Sequence, residues 1–145
     1  MNIKQTIFIV LLLVSLNIKA QNHRERIKAL KVSFLTERLD LTEKEAQKFW
    51  PVYNDFEKNS SKIKYIKIKN IRREIKETFD TMSDERAREL IEKYNEAENS
   101  LHQLWVEFSN KLTDIIPPKK IIWLKIAEED FKRKMIDEFK KRRKE

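Results

Sequence analysis

The chain has 145 residues, 39% of them charged, a formal net charge of +8, and neither cysteine nor glycine. The lack of cysteine rules out disulfides and a thiol-linked lipid anchor. The lack of glycine removes the residue on which phosphate-cradling loops and the nucleophile elbow depend, so dinucleotide-binding, P-loop and α/β-hydrolase folds are excluded. Such a composition favours long helices joined by a few simple connections and held by packing alone.

Residues 1–20 read as an export signal. Lys4 gives a positive start, Thr6 to Leu16 forms an apolar run broken by Ser15, and Ala20 is a small residue suited to cleavage. The run is about half the ~20 residues that a bilayer crossing needs. Cleavage after Ala20 and export of residues 21–145 as one all-helical domain are therefore expected. The mature chain stays basic, and outside the cytoplasm its acidic partners are anionic lipids, envelope polysaccharides or unfolded acidic proteins rather than nucleic acid.

A first helix is predicted from Arg24 to Leu39, with Ile27, Leu30, Phe34 and Leu35 on one face. The second start is marked by Thr42 and, three residues on, Glu45, the pattern of a capping box. From there Phe49, Tyr53, Phe56, Ile63, Ile66, Ile71, Ile75 and Phe79 predict one long helix. A kink is expected near Pro51, which lacks a donor and crowds the carbonyl of Gln47. The alternation in Lys62 to Lys69 is read as helical because both flanks are helical. Ser83 is the predicted N-cap of a third helix, whose stripe runs Ala87, Leu90, Tyr94, Ala97, Leu101, Leu104, Phe108, Leu112 and Ile115. Pro117 and Pro118 end it, and Pro118 opens a last helix carrying Leu124, Ala127, Phe131, Met135 and Phe139. The expected fold is all-α, four helices as elongated antiparallel hairpins.

No residue pattern points to catalysis or to a bound cofactor. Glu89 and Lys93, Asp130 and Lys134, and similar acid-first pairs stand four apart, the spacing of solvated helix faces. A free Gln21-Asn22-His23 terminus would let His23 help wrap Cu(II) or Ni(II) in a square-planar nitrogen set, and cyclisation of Gln21 would remove it. The three tryptophans, Trp50, Trp105 and Trp123, fall on or beside core stripes. The most pointed feature is the charge between residues 58 and 76, where eight cations face the single acid Glu74. Lys62, Lys64, Ile66, Lys67, Ile68, Lys69, Arg72 and Arg73 are the candidate contacts for a protein client, since they offer cationic and apolar surface together. A second basic run, Lys140 to Lys144, offers loose attraction to anionic surfaces.

Leu41-Thr42-Glu43-Lys44-Glu45, preceded by Arg38-Leu39-Asp40 and followed by Phe49-Trp50-Pro51-Val52-Tyr53, resembles the first LTxxQ element of the periplasmic Spy/CpxP-like proteins. More narrowly it is similar to their Bacteroidota branch, the sensors of ECF-type sigma factors. Ile116-Pro117-Pro118-Lys119-Lys120 falls where the second such element would lie. Glu45 stands in place of the first glutamine, and the second element keeps neither threonine nor glutamine, having Lys120 at its end. The resemblance implies a non-enzymatic periplasmic homodimer, cradle-shaped and basic, that binds unfolded envelope proteins without ATP or reports envelope stress. The alternatives are a dedicated partner in sigma/anti-sigma signalling and a binder of anionic envelope surfaces.

Overall fold

The computed structural model describes residues 24–143. The expected export signal, its expected cleavage site and the candidate His23 terminus lie outside the described residues. All regular structure among the described residues is helical, and the class is all-α. Helix α1 covers residues 24–38, α2 Glu43–Lys62, α3 Lys69–Thr78, α4 Asp84–Leu112 and α5 Pro118–Arg142. A π-helical segment, Ile63–Ile68, joins α2 to α3, and a 3₁₀ turn, Phe79–Thr81, follows α3. Contacts divide the described residues into two compact units, residues 42–122 and residues 24–41 together with 123–143.

In the second of these units α1 meets the later part of α5. Leu35, Leu39, Leu41, Leu124, Ala127 and Phe131 are buried, and the rings of Phe34 and Phe131 lie 5.6 Å apart. Arg38 reaches Asp130 at 3.2 Å and lies over the Trp123 ring. Trp123, expected to pack in the core, is instead 45% exposed, beside the predicted stripe residue Leu124, which has no exposure. Asp130 also pairs with Arg133, three residues later, and Glu89 pairs with Arg86, three residues earlier, rather than with Lys134 and Lys93 as their spacing suggests.

The end of α1 shows how a chain without glycine closes a helix. The Leu41 N–H bonds the Thr36 carbonyl and the Asp40 N–H that of Glu37, while Asp40 takes the left-handed conformation with φ 47°. This is the Schellman arrangement, in which glycine normally occupies the left-handed position because it has no Cβ to clash. Asp40→Gly is expected to stabilise the fold by about 1 kcal/mol, read as a melting temperature raised by a few degrees. A lower melting temperature would show that the aspartate side chain contributes more than its backbone strain costs.

In the unit of residues 42–122, α2 begins on the expected capping box. The Thr42 hydroxyl accepts from the Glu45 N–H at 3.2 Å, and the Glu45 carboxylate accepts from the Thr42 N–H at 2.8 Å. Helix α2 runs on through Pro51, which costs it the bond to the Gln47 carbonyl. Departure from α geometry comes later, at Ile63–Ile68, where the Lys69 N–H bonds Lys64 five residues back. The reason lies in the spacing of the buried side chains. Phe49, Tyr53 and Ser60 are buried on α2, and the next buried residues are Ile68 and Ile71. From Ser60 to Ile68 the chain advances more than two α-turns of ~3.6 residues, so a straight helix would swing Ile68 off the core face. The wider π turn absorbs the surplus residue and restores the phase. In consequence Ile66, expected on the buried stripe, is 62% exposed, and Ile68 takes its place at 7%. Phe79, the last expected stripe residue, is 75% exposed because the chain has left α geometry for the 3₁₀ turn.

Helix α4 starts on Ser83, whose hydroxyl accepts from the Arg86 N–H. It buries Leu90, Ala97, Phe108 and Leu112, with the rest of the predicted stripe half-buried. Along the pair, Tyr53 and Phe56 meet Phe108, Arg72 meets Tyr94, and Glu74 meets Arg86. The partners thus descend along α4 as they ascend along α2 and α3. Phe49, Trp50, Tyr53, Phe56, Trp105 and Phe108 form one continuous aromatic cluster.

Candidate binding surface

The starts of α2 and α5 lie near the two ends of the unit of residues 42–122, and the structure brings them into contact. Lys120, in the first turn of α5, donates to the Glu45 carboxylate at 2.9 Å, with side chains only 15% and 18% exposed. Glu45 therefore serves both the α2 cap and α5. The ammonium of Lys120, with the Thr42 N–H next, holds the Glu45 carboxyl below its ordinary range. Sequence reading noted both residues as substitutions for glutamine but did not pair them, since the residues between them give no signal of proximity.

The basic segment from Lys62 to Lys76 divides into two flanks. On one, Lys64, Tyr65, Lys69, Arg72, Arg73 and Lys76 line a shallow depression of about 310 Å³ floored by Ile68. Arg72 donates to the Tyr94 hydroxyl at 3.2 Å, which ties this flank to α4 and raises the arginine further above its ordinary value. Among the described residues no carboxylate forms an ion pair with Lys64, Lys69, Arg73 or Lys76. On the other flank Ile66, Lys67 and Asn70 face Lys93 and Glu96 of α4 across a groove of about 340 Å³, with Ile71, Leu90 and Ala97 in its floor. Glu74, the single acid of the basic segment, edges this groove and is held there by Arg86.

The eight candidate contacts thus do not form one patch. Ile66 and Lys67 belong to the groove between helices. Lys64, Lys69, Arg72 and Arg73 belong to the open flank, Ile68 is buried beneath them, and Lys62 is exposed on α2. Sequence reading missed Tyr65, 67% exposed among the lysines, and Ile91, 60% exposed one turn from Tyr94 on α4. The signal for Tyr65 is its place among the lysines of the alternating run, off the predicted apolar stripe.

In the other unit, Ile27, Leu30, Met135 and Phe139 line a smaller depression of about 200 Å³ between α1 and α5, rimmed by Arg26, Lys134, Glu138 and Arg142. Among the described residues no three His, Cys, Asp or Glu side chains come together as a metal site, and no helix is long and apolar enough to cross a membrane. Compared with family models, with curated proteins and with solved structures, the chain finds no match in any of the three.

Proposed function

We propose that the chain is a non-enzymatic Spy/CpxP-like protein of the periplasm that binds exposed segments of unfolded envelope proteins. The observation that carries this reading is the groove between α3 and α4, in which an apolar floor of Ile71, Leu90 and Ala97 lies between the exposed Ile66 and Lys67 on one wall and Lys93 and Glu96 on the other. An extended client segment would place an apolar side chain on that floor and its carboxylates on the lysines. Apolar contact supplies the hold, and charge supplies the rate of encounter. The LTxxQ-like elements at Leu41 to Glu45 and Ile116 to Lys120 support the family reading, since they sit at two helix starts and meet through Glu45 and Lys120.

The test is suppression of aggregation. The purified chain, without ATP, is mixed with a denatured acidic protein and followed by light scattering beside an equally basic control protein. Suppression beyond the control is expected, and Ile66→Ser with Lys67→Ser should abolish it while leaving helix content unchanged. If the unaltered chain does not suppress aggregation, general client binding is refuted, and a dedicated partner in sigma/anti-sigma signalling becomes the better reading.

A further inference from the structure

The π-helical segment and α3 form an arm, Ile63 to Thr78, whose open flank has features that the client groove does not explain. It is lined by side chains of one helical stretch, with no second helix to wall a segment in. Its cations extend from Lys64 to Lys76, roughly 18 Å at ~1.5 Å per residue, and apart from Arg72 they have no ion-pair or hydrogen-bond partner among the described residues. Arg72 spends one N–H on the Tyr94 hydroxyl, which leaves other guanidinium donors for an outside acceptor. Three exposed bulky side chains lie in it or beside it. Tyr65 lies in the lining, Phe79 stands one turn beyond Lys76 at the end of the arm, and Ile91 lies one turn from Tyr94 on the same side of α4.

We propose that this flank docks on an anionic membrane surface, with Lys64, Lys69, Arg72, Arg73 and Lys76 on headgroup phosphates and Tyr65, Phe79 and Ile91 entering the interface. A flat field of cations without acidic neighbours matches a planar array of phosphates. A peptide gains more from a groove that encloses it, and the arm has one on its other flank. Lysine and arginine near a negatively charged leaflet are each attracted within about a Debye length, and bulky apolar or aromatic side chains add burial at the headgroup level. The client groove then faces away from the docked flank.

The test is flotation of the full chain with vesicles of phosphatidylcholine, with and without phosphatidylglycerol. Vesicles lacking the anionic lipid measure any binding by the apolar run at Thr6 to Leu16, which is common to all variants. Binding is expected to be at least about tenfold stronger with phosphatidylglycerol. Lys69→Ser, Arg72→Ser and Lys76→Ser together should remove that difference, whereas Lys140→Ser, Lys141→Ser and Arg142→Ser should change it by no more than about twofold. Tyr65→Ser with Phe79→Ser should leave binding at low salt and lose it at high salt, since charge alone is screened. All altered residues are exposed, so unchanged circular dichroism should accompany each result. Equal binding to both vesicles, or full binding by the triple serine variant, overturns the proposal. So does loss of aggregation suppression in that variant when the unaltered chain shows no preference for the anionic vesicles, which would assign the flank to acidic protein instead.

Discussion

Phe108→Ala is expected to destabilise the chain by roughly 3–5 kcal/mol, the range for truncating a buried aromatic when its surroundings cannot close over the gap. Phe108 is 3% exposed and stacks on Phe56 with ring centroids 4.1 Å apart, while Tyr53 and Trp105 meet it edge-on at 6.1 and 5.6 Å. Three rings thus lose a face at once. The neighbours sit on two helices whose backbones cannot move inward without breaking their own ladders. Urea denaturation followed by tryptophan fluorescence checks this, with Val106→Ala, at an exposed site on the same helix, expected to cost less than about 0.5 kcal/mol. Equal costs at the two sites would mean that the aromatic cluster does not organise the unit.

Lys120→Ala should be the second most costly change described, at about 2 kcal/mol. That value lies between the small worth of a surface ion pair and the larger penalty for stranding a fully buried charge. With side chains 15% and 18% exposed, the pair with Glu45 stands between those limits. The cap gives the prediction more discrimination. Glu45→Gln keeps an oxygen for the Thr42 N–H but loses the charge, and Glu45→Gln with Lys120→Gln lets two amides bond each other. The double variant should therefore recover most of the loss, and the cycle completed with the single Lys120→Gln variant should give a coupling of about 1–2 kcal/mol. Additive losses would show that the two side chains act separately.

Acid sensitivity follows from the same pair. The Glu45 carboxyl titrates below its ordinary range because Lys120 and the Thr42 N–H favour its charged form. Its contribution is complete above the unfolded carboxylate value of about 4.3 and fades as pH falls through the lower folded value. Asp130, held down by Arg38 and then Arg133, acts in the same direction. Urea midpoints measured from neutral pH down to about pH 3 should fall less steeply for Glu45→Gln than for the unaltered chain. A parallel fall would place the acid-sensitive groups elsewhere.

Local chemistry made much of this structure legible. Thr42 with Glu45, Ser83, and Pro118 announce three helix starts, and each start is where the residues put it. The stripe of α4 was readable because its period never slips from Leu90 to Leu112. Hydrophobic period is also what misled at Ile66 and Phe79. A stripe extrapolated at a constant 3.6 residues per turn has no means of showing that the helix changes its own pitch. The meeting of Glu45 with Lys120, and the division of the basic segment into a groove and an open flank, depend on which helices become neighbours. A charge count along the chain holds no such information.

The π-helical segment has a consequence for how the chain tolerates changes in length. Between Ser60 and Ile68 the chain carries one residue more than an α-helix needs to join the same two core positions. Loss of a single residue within 63–68 would leave an unbroken α-helix with Phe49, Tyr53, Ile68 and Ile71 still on one face. Helix α4 holds no such surplus, so a deletion there would turn Leu90 and Ala97 away from Phe108 and Leu112. Of the two paired helices, one can change length by a residue and keep its core, and it is the one that carries the exposed cations.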